Sequence, residues 1–158
     1  DSKTLTARQR EVLADRILAE ADTAVAQASA EEIDELNILR ASHLAMLRAL
    51  ALLGEPADFA LIDVHLLPNA ITGPALAVVK GDARCLSVAA ASILAKVERD
   101  RIMVDLAQHY PGYGWDRNAG YPTADHLAAL RMLGVTPHHR RSYRPVHNIL
   151  YQDKSLNR

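Results

Sequence analysis

The chain has 158 residues, enough for one domain, and its 49% hydrophobic, 23% charged composition belongs to a globular protein rather than a disordered or fibrous one. Its single cysteine, Cys85, excludes a disulfide framework within these residues and fits the reducing cytoplasm, and no apolar run reaches the length of a membrane span. The net charge of −1 argues against a uniformly basic nucleic-acid binder, yet Arg131, Arg140, Arg141 and Arg144, with His138 and His139, gather in the last third, where a local patch can meet phosphates.

Thr6 and Gln9 have the T-x-x-Q spacing of a capping box, and Val12, Leu13, Ile17 and Leu18 follow at helical spacing, predicting a helix to about Ala21. A short strand is expected over Thr23 to Ala28, with Val25 as its only β-branched core candidate. Ser29 and Glu32 make a second capping box, opening a short helix with Ile33 and Leu36 inward. Another helix runs from about Leu39 to Leu53, with Gly54 as its stop. Phe59 to Asp63 is an apolar run ending in a carboxylate and reads as a buried strand. Pro68, Asn69, Gly73 and Pro74 mark a loop, and Ala75 to Val79 reads as another buried strand, running into Lys80-Gly81-Asp82.

Ser87 to about Gln108 is the longest predicted helix. It is apolar nearly all round as far as Ala95, so that half should be packed on several sides; Lys96 to Arg101 should carry the rest toward solvent. Tyr110 to Trp115 and Gly120-Tyr121-Pro122 are turn-rich. Thr123 caps a last helix with Leu127, Leu130 and Leu133 on one face, ended by Gly134 and Pro137. Residues 147–158 read as a polar tail. Helices alternating with short strands argue α/β, and three strands among so many helices need further neighbours, so the sequence reads as part of a larger α/β unit.

Asp63 and Asp82 are the sharpest chemical features. Each sits just past a predicted buried strand, where a carboxylate is costly unless it is solvated, paired or bound to a cation. Sites in open α/β sheets gather at the carboxyl ends of strands, and convergent carboxylates suit Mg²⁺ or Mn²⁺. Aspartate is also a common turn residue, so both could simply begin loops. Lys80 could meet a phosphate, and Gly81 lets backbone come close to a ligand. Tyr121, between Gly120 and Pro122, is placed to stack on a nucleotide or bond a 2′-hydroxyl; Tyr113 and Trp115 are similar candidates. The seven histidines show no H-x-x-x-H zinc spacing, and Ser92 lies in no G-x-S-x-G elbow.

Several segments together resemble the ribonuclease HII family, in order from Asp1 to about Val146. Asp1-Ser2-Lys3 with Leu5 is similar to its D-S-K-x-L segment, and Glu32-Ile33-Asp34 with Asn37-Ile38-Leu39 to its E-I-D-x-x-N-I-L stretch. Leu61-Ile62-Asp63 and Lys80-Gly81-Asp82 resemble the segments carrying its third and fourth catalytic acids. Ser87 to Val97, with Arg99-Asp100-Arg101, is similar to its most distinctive helix. Tyr110 to Gly114, Gly120-Tyr121 with Thr123, and His139-Arg140-Arg141-Ser142-Tyr143 complete the match.

The resemblance implies a ribonuclease H-like fold, a central mixed sheet flanked by helices, in one domain spanning residues 1–158. It implies a monomeric cytoplasmic endonuclease that cuts the RNA strand of RNA–DNA hybrids and ribonucleotides embedded in DNA, a DNA-repair activity leaving 3′-hydroxyl and 5′-phosphate ends. It implies four carboxylates holding two Mn²⁺ or Mg²⁺ ions, Asp63 and Asp82 among them, with Tyr121 reading the ribose 2′-hydroxyl and Lys3 and Lys80 near phosphates. The family's opening D-E-x-G-R-G strand, with its other two acids, precedes the D-S-K segment, so N-terminal strands and half the metal shell are expected to be missing here. On that reading the chain alone is poorly active, and the alternative is a non-catalytic remnant that binds hybrid. Two further departures stand out. Val64 follows Asp63 where glycine is usual, with His65 next, and Asn118-Ala119 replaces a basic pair, which removes phosphate contacts.

Overall fold

The computed structural model describes residues 2–151, and the chain divides into two compact units, residues 1–27 with 42–98 and residues 28–41 with 99–158. Among the described residues no helix is long and apolar enough to cross a membrane.

In the first unit, helix α1 (Ala7–Glu20) opens on the expected capping box: Thr6 Oγ accepts the Gln9 N–H at 3.3 Å, and Gln9 Oε1 accepts the Thr6 N–H at 2.9 Å. Its inward stripe is Leu13, Ala14 and Ile17, which pack with Leu5 against Ile93, Leu94 and Val97 of the long helix α4 (Leu86–His109). Val12 and Leu18, which share the helical spacing, lie half exposed. The Arg10 guanidinium donates to the carbonyls of Ser2 and Leu5 at 3.1 and 2.7 Å, tying the 3-10 turn Ser2–Thr4 to α1.

The strand expected over Thr23–Ala28 does not form. With Val25 its only β-branched residue it has little to pack, and the Gln27 carbonyl accepts from the Arg48 guanidinium at 3.0 Å instead of a neighbouring strand. Helix α3 (Ile38–Ala51) ends three residues before Gly54. That glycine lies beside Asp22, whose carboxylate accepts the Glu55 N–H at 3.2 Å, so Gly54 serves a side-chain clasp and not a helix stop.

The sheet is two parallel strands, β1 (Ala60–Ile62) and β2 (Ala75–Ala77), paired Ala60 to Ala75, Leu61 to Leu76 and Ile62 to Ala77. The Val78 N–H extends the ladder to the Ile62 carbonyl at 2.8 Å. The strands are not buried on both faces: Ile62 and Val78 are inside, while Leu61 and Leu76 stay exposed. Parallel pairing puts both carboxyl ends at one edge.

In the second unit, α2 (Ala30–Leu36) carries the Ser29–Glu32 capping box. Met103, Tyr113, Trp115, Leu130 and Val146 form the core. Met103 lies in the charged half of α4, so that half does not simply run into solvent. Helix α5 (Trp115–Asn118) is one turn long. Helix α6 (Ala124–Leu133) starts on Thr123, whose hydroxyl accepts the His126 N–H, and buries Leu130 and His126 while Leu133 is exposed. Where a polar tail was expected from residue 147, residues 147–151 complete helix α7 (Arg144–Tyr151), anchored by the buried Val146; residues 152–158 lie outside the described residues, as does Asp1.

Candidate active site

Asp63 follows the last residue of β1, and Asp82 lies five residues beyond β2. The chain must turn back for them to meet, and Lys80 makes that turn. Its backbone is left-handed (φ 55°, ψ 40°), and the 3-10 turn Gly81–Ala83 follows at once. The Asp82 N–H then donates to Asp63 Oδ2 at 3.4 Å. Two acids 19 positions apart thus share one edge of the sheet.

Gly81 makes the approach possible, for a packing reason. A Cβ built there would stand 3.1 Å from Val88 Cγ1, 3.4 Å from Val78 Cβ and 3.5 Å from Asp63 Cβ, and Gly81 is buried. The absent side chain makes room for α4 and for Asp63, whereas the sequence pointed to a ligand. Val64 needs no glycine, since its φ is not positive and its N–H closes a tight turn to the Ile62 carbonyl at 3.0 Å. His65 is exposed.

A pair of carboxylates is an all-oxygen donor set, which fits a hard divalent ion such as Mg²⁺ or Mn²⁺ better than zinc. Among the described residues no group of three or more His, Cys, Asp or Glu converges as a metal site. Asp63 and Asp82 therefore fit part of a metal shell, with oxygens from elsewhere needed to complete it. Lys80 stands two residues before Asp82 and is exposed; Lys3 is exposed on the 3-10 turn Ser2–Thr4 of the same unit. Neither takes part in the Asp63–Asp82 hydrogen bond. Ser92 donates its hydroxyl to the Ala89 carbonyl one turn back at 2.8 Å, and Cys85 is half-buried, so neither is presented as a nucleophile.

Tyr121 belongs to the second unit, and the residue is 57% exposed. The turn beneath it is heavily bonded. The Tyr121 N–H donates to the Asn118 carbonyl at 2.8 Å, and the Gly120 N–H donates to Asn118 Oδ1 at 2.8 Å. Asn118 Nδ2 donates to the Tyr113 carbonyl at 2.9 Å, and the Arg99 guanidinium donates to the Ala119 carbonyl at 3.0 Å. Asn118, read from sequence only as a lost phosphate contact, is a turn builder; an asparagine just ahead of Ala-Gly was the available signal. Beside this turn lies a cleft of about 180 Å³ whose lining includes Arg117, Asn118, Thr123 and Asp125.

Tyr113 and Trp115, the weaker candidates, are core residues, at 6% and 3% exposure, and the Tyr113 hydroxyl donates to the Gly134 carbonyl. Burial pushes the Tyr113 phenol up from its ordinary range. In the basic segment, Arg141 and Arg144 are exposed and Arg140 lies over the Tyr143 ring at 5.7 Å. The Asp34 carboxylate, unremarked as a functional group in the sequence, accepts the Arg141 N–H at 2.7 Å.

Known proteins resemble this chain over nearly its whole length. The profile of the family described as Ribonuclease HII matches residues 1–147. Ribonuclease HII of Cereibacter sphaeroides is 67% identical over 156 residues, which are 99% of this chain and 74% of that protein. Its counterpart in Paracoccus denitrificans is 61% identical over 158 residues, all of this chain and 75% of that protein. The crystal structure of ribonuclease H2 from Pyrococcus horikoshii OT3 matches with a TM-score of 0.77 at 25% identity, over 100% of this chain and 82% of that one.

Proposed function

Since the chain belongs to the ribonuclease HII family, and so to the hydrolytic endoribonucleases, we propose that it acts on RNA–DNA hybrids and on ribonucleotides embedded in DNA. Its fold is the α/β ribonuclease H-like one. The products on this reading are 3′-hydroxyl and 5′-phosphate ends, and the cellular task is DNA repair. One observation carries the proposal: at the carboxyl edge of two parallel strands the Asp82 backbone N–H donates to the Asp63 carboxylate, which puts the two acidic residues side by side.

Asp63 and Asp82 would hold Mn²⁺ or Mg²⁺. When bound, two such ions activate a water and stabilise the leaving 3′-oxygen. The two side chains supply negative charge and oxygen donors on one edge, which limits where a phosphodiester can lie. Lys80 and Lys3 offer cations to substrate phosphates. Tyr121 contacts the ribose 2′-hydroxyl, which is the group that tells RNA from DNA. Contacts to phosphate and sugar carry no base information, so cleavage does not depend on sequence. The enzyme acts as a monomer in the cytoplasm, a reading that rests on the lone cysteine and the family.

The family's two remaining acids belong to a D-E-x-G-R-G segment that these 158 residues do not contain. The test therefore compares this chain with the same chain joined to such a segment, on a duplex carrying one ribonucleotide, in Mn²⁺ and in Mg²⁺. Cleavage by the joined form, abolished by Asp63→Asn or Asp82→Asn, is the expected result. Absence of cleavage by either form would overturn the enzyme reading and leave a hybrid-binding remnant. The unjoined chain is expected to be poorly active, and calorimetry that found two tight Mn²⁺ sites on it would contradict this.

A further inference from the structure

Ala119 has a left-handed backbone, φ 47° and ψ 34°, although it is not glycine. Such a conformation persists in an L-residue only where its surroundings over-determine it, and such residues cluster at ligand clamps. Here the surroundings can be named. The Arg99 guanidinium, on α4, holds the Ala119 carbonyl at 3.0 Å. Asn118 grips both sides of the turn, taking the Gly120 N–H on Oδ1 and giving Nδ2 to the Tyr113 carbonyl of the core. Gly120 (φ 77°) lies so close to α4 that a Cβ there would stand 3.1 Å from Met103 Cε. All of these groups precede or flank Tyr121, whose ring is presented at the surface.

We infer that Arg99 and Asn118 are positioning residues for Tyr121, fixing the strained turn 118–121 so that the tyrosine meets a ribose in one orientation. The inference rests on the proposed role of Tyr121 as the sugar reader. A turn held by four hydrogen bonds limits how far the ring can drift, and a hydroxyl-to-hydroxyl contact is lost by displacements of well under 1 Å.

Two measurements on the 158-residue chain test it. The first is hydrogen exchange at the Gly120 and Tyr121 amides in Arg99→Ala and Asn118→Ala. Faster exchange there, with the core amides of α6 unchanged, is expected; unaltered exchange at the turn overturns the inference, whatever Tyr121 does. The second is the affinity ratio between a DNA duplex carrying one ribonucleotide and the same duplex in all-DNA form. Arg99→Ala is expected to lower that ratio about tenfold, the effect of losing a charge-assisted hydrogen bond. Arg99→Lys should restore part of it. In a Tyr121→Phe background Arg99→Ala should change the ratio no further, because its effect passes through the tyrosine. A full additional loss in that background overturns the inference. If Tyr121→Phe alone leaves the ratio intact, the sugar-reading role of Tyr121 fails by itself, and the exchange data still decide what holds the turn.

Discussion

Asp34 and Ser142, 108 positions apart, are joined twice: the serine N–H at 2.9 Å and its hydroxyl at 2.5 Å both donate to Asp34 Oδ1. The Arg141 N–H donates to Oδ2 at 2.7 Å. One carboxylate thus fastens α2 to the segment that carries the exposed arginines. Burial alone would raise its pKa, but the Ser142 hydroxyl and N–H, the Arg141 N–H and the Arg140 charge outweigh that and hold it below the ordinary carboxylate range.

Asp34→Ala should therefore destabilise the protein by about 0.5–1.5 kcal/mol, because two exposed backbone donors exchange a carboxylate for water. The pH dependence has a definite sign. A carboxyl with a lowered native pKa contributes stability above its unfolded value near ~4, and that contribution vanishes as pH falls through the native value. Urea midpoints measured from pH 6 downward should show an acid-side loss in the parent that is smaller in Asp34→Asn. Parallel curves for the two would refute the clamp.

His139 predicts a second acid-sensitive element. It is 8% exposed, stacked on His126 with ring centroids 5.5 Å apart, and its Nε2 is buried with no hydrogen-bond partner. Burial first, then repulsion from His126 and His138, lowers its pKa to about 4. The unfolded chain takes up the proton near 6.5, so between about pH 6.5 and 4 protonation favours unfolding, and stability is complete only above that window. The loss on acidification is at most about 3 kcal/mol. Melting temperatures should fall across this window and then level, and His139→Gln should flatten the slope. A parent curve with no slope there would show that the ring takes its proton in the folded state at an ordinary pH.

The two capping boxes, the long helix and the acid-tipped strand β1 were readable because each is a local pattern: a side chain and a backbone group three residues apart, or an apolar run ending in a carboxylate. Thr23–Ala28 and the start of the expected tail, residues 147–151, were misread for the opposite reason. Whether Gln27 meets a strand or the Arg48 guanidinium, and whether Val146 is anchored in a core, depends on partners distant in sequence. The acid pair lay in between. Its members were visible, but their meeting required parallel pairing and a left-handed Lys80, neither of which is written in the residues themselves. Arg99 escaped as a turn builder because its acceptor, the Ala119 carbonyl, is a backbone group, which has no letter in a sequence.

Ala119 offers a stability test separate from function. Its left-handed backbone carries a penalty of about 1–2 kcal/mol that glycine does not, while glycine adds unfolded-state entropy worth about 0.4–1 kcal/mol. Ala119→Gly should thus be neutral or stabilise by up to about 1.5 kcal/mol, read from the denaturant midpoint. Ala119→Val should destabilise, because a β-branched residue tolerates positive φ still less. A destabilising glycine variant would show that the turn is not strained.

Gly81 ties packing to the acid pair. A methyl at this position meets Val88 Cγ1 at 3.1 Å, a tight contact that a shift of a few tenths of an ångström in α4 with its Val88 side chain, or in the 81–83 turn, has to relieve. The turn is the softer of the two, being three residues long and started by a left-handed Lys80. Gly81→Ala should therefore cost about 1–3 kcal/mol of stability and also lengthen the 3.4 Å approach of the Asp82 N–H to Asp63. Divalent-ion affinity of the D-E-x-G-R-G-joined form should fall with it, although no carboxylate has been altered. Val88→Ala in the same chain frees the space the methyl needs, and it should recover much of the lost affinity. If the glycine variant binds Mn²⁺ as the parent does, the close packing of Gly81 is not what holds the two acids in place.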